Sequence, residues 1–96
     1  MSNLKEDIEV YYDCEGDRHL VVELMDNTNG ELFMHDFGVI YRGSAEGLCK
    51  VIANSIDQEF TLDAYRAMGF IRNRLTMEFG DEARNRIEEL YEESYK

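Results

Sequence analysis

Leu20-Val21-Val22-Glu23-Leu24-Met25-Asp26-Asn27-Thr28-Asn29-Gly30 is the stretch whose conformation decides the fold. Leu20, Val22 and Leu24 alternate with Val21 and Glu23, the period of two expected of a strand with one buried face. Asp26 to Gly30 then reads as a loop. Asn29-Gly30 is a hairpin signal within it, because both residues tolerate positive φ. Upstream, Ile8, Val10 and Tyr12 alternate with Glu9, Tyr11 and Asp13 in a first strand, and Cys14-Glu15-Gly16-Asp17 supplies a turn. Downstream, Leu32 to Phe37 predicts a third strand, with Leu32 and Met34 opposite Phe33, His35 and Phe37. Val39, Ile40 and Tyr41 extend it past a bulge at Gly38 or form a short fourth strand. Connections this short exclude parallel crossovers.

The second half changes period. Ser44 is the expected N-cap of a helix that turns Ala45, Leu48, Cys49, Ile52 and Ile56 to one side. Thr61 with Asp63 opens a second helix, striped by Ala64, Met68, Ile71, Leu75 and Phe79. Gly80 ends it, and Asp81 is the expected N-cap of a third helix carrying Ala83, Ile87, Leu90 and Tyr91 inward. The expected class is α+β: a small antiparallel β-meander of three or four strands (about residues 7–42), followed by two or three α-helices (about 44–95) packed on one face. Residues 1–96 are expected to form a single domain.

Composition narrows the function. Hydrophobic residues at 44% suffice for a core, while 21 Asp and Glu against 10 Lys and Arg leave a formal net charge of -11. That balance argues against direct contact with a nucleic-acid backbone, which requires basic groups to displace counterions. It argues equally against an anionic membrane surface. Acids near the N-terminus replace the apolar core of a signal peptide, and no stretch nears the roughly 20 apolar residues of a membrane span. A soluble cytoplasmic protein is expected, with Cys14 and Cys49 as free thiols.

The acids are segregated. Residues 1–43 hold ten acids and three bases, residues 44–80 five and four, and residues 81–96 six and three. Asp7, Glu9 and Asp13 share one face of the first strand, and Glu15 continues the row into the turn. A hairpin partner strand would add Asp17 and Glu23. On the last helix, Glu88 with Glu92 and Glu89 with Glu93 are i,i+4 like-charge pairs, each costing a few tenths of a kcal/mol. They also sit at the helix end where the macrodipole disfavours acids. Tyr11, Tyr91 and Tyr95 interleave with these carboxylates as apolar anchors of the kind found at interface hot spots. Together these residues form the expected partner-binding surface.

Catalytic constellations are missing. His19 and His35, as cross-strand neighbours with Cys14 and Asp36, would be the raw material of a metal site, but no CxxC, HxxxH or carboxylate–His spacing supports one. The acids around Cys14 oppose its activation by His19. His35-Asp36-Phe37-Gly38 matches fragments of phosphohydrolase and kinase motifs without the other motifs those families need. Asp13 to Asp17 has alternating acids but no downstream bidentate Glu or flanking helices of a calcium loop. No enzyme activity, cofactor or metal is expected.

In size, acidity and strand-then-helix order, the chain resembles the small inhibitors that phages deploy against restriction and CRISPR nucleases. The resemblance implies a non-enzymatic inhibitor that blocks the nucleic-acid-binding groove of a host complex by mimicking the charge of DNA or RNA. Its partner would be a protein with a basic surface. Two alternatives stand beside it. One is a cytosolic protein-binding adaptor or immunity-type protein whose acidity serves only solubility. The other is a homodimer joined through a strand edge or the last helix.

Overall fold

The computed structural model describes residues 3–94. A short 3-10 turn, Asn3–Lys5, leads into β1 (Asp7–Asp13). β1 forms as its alternation predicts: Ile8 and Val10 are buried, whereas Asp7, Glu9, Tyr11 and Asp13 are exposed.

The next element is the main correction. Arg18–Asn27 is a helix, α1, where a second strand was expected. Asp17 is extended (φ -80, ψ 95) and its carboxylate accepts from the Leu20 N–H at 3.1 Å, the geometry of an N-cap. Leu20, Val21 and Leu24 are buried and Val22 is 51% exposed. Leu20 and Leu24, four apart, satisfy a helical period and a strand period alike. Only the two valines between them discriminate, and being identical they carry no hydrophobic contrast. Asn29-Gly30 does take positive φ (54 and 81), but at the end of α1 rather than in a hairpin. There the N–H groups of Thr28 and Gly30 both reach the Met25 carbonyl, which closes the helix.

The tight hairpin lies further on. β2 (Phe33–His35) turns through Asp36-Phe37 into β3 (Gly38–Ser44), with Asp36 at φ 56. Of the two expected arrangements for Val39 to Tyr41, a separate strand forms rather than an extension past a bulge, and the strand expected over Leu32 to Phe37 is shorter, Phe33–His35. β3 is central, in the order β1-β3-β2, and both neighbours run antiparallel to it. The protein is α+β, a three-stranded antiparallel sheet followed by helices, with α1 as the added connection from β1 to β2.

Three helices follow as the caps predict, with two local differences. α2 (Ala45–Ser55) begins at Ser44, whose hydroxyl accepts from the Gly47 N–H at 3.0 Å. A Cβ at Gly47 would collide with the Tyr41 hydroxyl, which donates to the Ser44 carbonyl at 2.8 Å. Ile56, expected on the inner stripe of α2, is instead its C-cap and partly exposed. α3 (Leu62–Phe79) is capped by Thr61. α4 (Asp81–Glu93) takes Gly80 as N-cap (φ 62, no side-chain bond), not Asp81, because Gly80 closes α3 and opens α4 at once. Leu48 and Cys49 of α2, Ile71 and Leu75 of α3, and Ile87 of α4 pack with Val10, Val39 and Tyr41 in one core. The helices therefore cover the sheet face that carries Val10 and leave the other open.

Cys14 and Cys49 are free and both buried. Burial, with Asp13 and Asp17 adding to it, pushes the Cys14 thiol above its ordinary range. Cys14 joins the core and donates its N–H to the Phe37 carbonyl at 3.1 Å, so it packs far more tightly than a loose turn residue. Burial pushes Cys49 up from 9.0 to about 11, and Glu46 adds to the effect. In the unfolded chain this thiol ionises first, so its contribution to stability is full below pH 9.0 and is lost as pH rises toward about 11. Denaturation midpoints should fall across that window, and Cys49→Ala should flatten the fall.

Candidate protein-docking face

The open side of the sheet is built by the period of two. Asp7, Glu9, Tyr11 and Asp13 project from β1, with residues of one parity about 6.8 Å apart. Register places Tyr11 opposite Ile40 and Ile40 opposite Phe33, one lateral row across all three strands. Ile40 is buried yet lies outside the main core, flanked in that row by Tyr11 and Phe33. The Tyr11 ring meets His35 edge-on at 5.6 Å between centroids. Gly38 makes room for that ring, since a Cβ there would lie 2.6 Å from the Tyr11 hydroxyl. A shallow depression of about 270 Å³ lies between Glu9, Tyr11, His35, Asp36, Ile40 and Arg42.

Charge on this face is mostly negative. Glu9 accepts from Arg42 at 2.8 Å, an exposed pair that contributes little to stability. Asp7 lies at one end of the strand and Asp13 at the other, where Asp13 accepts from the Glu15 N–H at 2.8 Å. The Tyr11 phenol is held above its usual range by desolvation, then by the neighbouring Asp13 and Asp36. It remains protonated and available as a donor at neutral pH.

The other expected binding residues fall in different places. Glu15 is exposed in the turn at φ 55. Asp17 caps α1, as described. Glu23 is on α1 rather than on a hairpin strand, and its two oxygens accept from the N–H and hydroxyl of Thr61, each at 2.8 Å. It ties α1 to the start of α3. Glu23→Ala should lower stability by about 1 kcal/mol, read as a shift in the denaturation midpoint.

On α4, Glu88 and Glu92 are exposed, while Glu89 and Glu93 flank Arg86 at 3.0 and 4.0 Å. Arg86 also holds Glu46 at 2.9 Å, so a shared cation offsets the repulsion expected between Glu89 and Glu93. Tyr91 is half-buried against the core and donates to Asp57 at 3.1 Å, which corrects its reading as an exposed anchor. Tyr95 lies outside the described residues. α4 packs on α2 and α3. Its acids thus belong to the helical layer rather than to the β1 row, although Glu82 and Glu89 approach the 3-10 turn that leads into β1.

Phe33, Met34 and Phe37 are exposed apolar side chains at the hairpin, and sequence reasoning did not single them out. The signal was available: apolar residues occupy both parities of 32–37, so one set had to face solvent. His19 lies exposed on α1, so the expected cross-strand approach to His35 does not occur. Among the described residues no group of three or more His, Cys, Asp or Glu is arranged to hold a metal, and no helix is long and apolar enough to cross a membrane. Comparison with protein-family models, curated proteins and solved structures finds no match.

Proposed function

We propose that the protein is a non-enzymatic inhibitor that lays its open sheet face on a basic surface of a protein partner, in a groove that otherwise receives DNA or RNA. The observation that carries this reading is the row Asp7, Glu9 and Asp13 around Tyr11, on a sheet face that no helix covers. Same-parity spacing of about 6.8 Å is of the order of the gap between successive phosphates of a nucleic-acid strand. Carboxylates on a rigid strand can therefore engage lysines and arginines placed to receive phosphates, and complementary fields speed the encounter. Tyr11 and Phe33 supply apolar contact between the charges. The resemblance to phage inhibitors in size and acidity extends the reading to a restriction or CRISPR complex as the target.

The exposed Phe33, Met34 and Phe37 favour a second reading, an adaptor that binds through its hairpin and is acidic for solubility alone. Capture of partners from a bacterial lysate, followed by a salt gradient, separates the two. Inhibition by mimicry predicts basic nucleic-acid-binding proteins that elute at high salt and are displaced by added duplex DNA or RNA. Partners that resist salt and are lost on Met34→Ser with Phe37→Ser would transfer the function to the hairpin.

A further inference from the structure

Among the described residues, α3 presents an exposed outward seam, flanked by Phe70 edge-on to Tyr12 at 5.3 Å and by Tyr65 edge-on to Phe60 at 5.8 Å. Leu62, Arg66, Gly69, Asn73 and Met77 are all exposed and recur at steps of four, three, four and four, forming one seam about 22 Å long. Leu62 and Met77, at its two ends, are 65% and 69% exposed. Phe70 adds an exposed ring beside Gly69, where an added Cβ would meet nothing within 4 Å.

These residues are ordered with two-fold symmetry once a second α3 runs antiparallel. With the axis between Gly69 and Phe70, Leu62 meets the second copy's Met77, Arg66 its Asn73 and Gly69 its Phe70. The reciprocal contacts follow, as an isologous interface requires. The flanks obey the same symmetry. Asp63 falls beside the second copy's Arg74 on one side, where an ion pair between copies would compete with that Arg74's own pair to Glu78 at 3.7 Å. Tyr65 falls beside its Arg72 on the other, a cation over a ring. α3 is also where the chain is least acidic, with Arg66, Arg72 and Arg74 against Asp63 and Glu78 in a protein of net charge -11. Two copies meeting here keep their acidic surfaces apart.

We infer that the protein forms a two-fold homodimer through antiparallel α3 helices, with Phe70 of each copy seated over Gly69 of the other. The seam lies on the helical side of the sheet. Its N-terminal end, Asp63 and Arg66, borders a depression shared with Asp13 and Glu15, while Asp7, Glu9 and Tyr11 lie on the opposite sheet face and are left free by the pairing.

Sedimentation equilibrium at high micromolar concentration should give twice the 11.2 kDa chain mass. Leu62→Glu with Met77→Glu should weaken association by about tenfold or more without changing the circular dichroism, since both side chains are exposed. Gly69→Cys, beside the axis, should oxidise to a covalent dimer, whereas Arg84→Cys on α4 should not; the native thiols are buried and do not compete. Asp63→Arg and Arg74→Asp should each weaken the dimer, and together restore it. A monomeric parent would overturn the inference. So would a dimer that survives the double Glu variant and is not trapped at Gly69→Cys, which would move the seam to the β2 edge or to α4. Loss of a different protein's binding in the double Glu variant of a monomeric parent would assign the seam to that partner instead.

Discussion

Val21→Asp should unfold the protein, whereas Val22→Asp, one residue on, should leave it folded. Val21 is 1% exposed and packs in the core among Leu20, Leu24 and their neighbours. An aspartate there would either place an unpaired charge in the interior or be forced to protonate, and the expected loss is about 3–5 kcal/mol. That is comparable to the whole stability of a small domain. Val22 points to solvent on α1, where aspartate costs only helix propensity, about 0.5 kcal/mol. A strand over Leu20 to Leu24 would reverse the ranking, because Val22 would then share the buried side with Leu20 and Leu24. Urea midpoints of the two variants therefore decide between helix and strand for the segment on which the topology depends.

The reason this segment misleads is specific. In β1, charged residues alternate with apolar ones from Asp7 to Val10, so the strand period is visible in side-chain polarity. In α1, the chain offers Leu-Val-Val-Glu-Leu, whose β-branched pair favours a strand by propensity, and tertiary packing overrides it. The helical signal was present in Asp17, which caps three residues ahead of itself, and in the spacing of Leu20, Val21, Leu24 and the buried Thr28. α2 and α3 were legible because Ser44 and Thr61 precede long stripes of period 3.6. The row Asp7, Glu9, Tyr11 and Asp13 was legible for the same reason as β1 itself.

Residues whose roles depend on distant contacts were not legible. Glu23 holds Thr61, the N-cap of α3, 38 residues later, and Tyr91 finds Asp57 at a separation of 34. No local pattern encodes either meeting. Exposure of Phe33 follows from β2 being an edge strand, which depends on β1 pairing with β3 rather than with its successor, and Phe37 is exposed in the turn between β2 and β3.

The largest functional effect should come from the open sheet face. Asp7→Asn, Glu9→Gln and Asp13→Asn in one variant keep shape and hydrogen-bonding capacity while removing three charges. Each exposed carboxylate alone should contribute about 1 kcal/mol or less, so the loss is cumulative. The combined variant should bind a captured basic partner about ten- to a hundredfold more weakly at low salt. Glu9→Gln also releases Arg42 from its ion pair, which adds a cation to the face and deepens the loss. Replacing Glu88, Glu89, Glu92 and Glu93 by Gln should weaken binding far less, because α4 packs in the helical layer and not on the open sheet face.

The slope of log affinity against log salt, measured for the parent and for the variant carrying Asp7→Asn, Glu9→Gln and Asp13→Asn, tests the mimicry most directly. A face that stands in for phosphates predicts a steep parent slope and a shallower one in the variant, with the two affinities converging as salt rises. Equal affinities and equal slopes would contradict it.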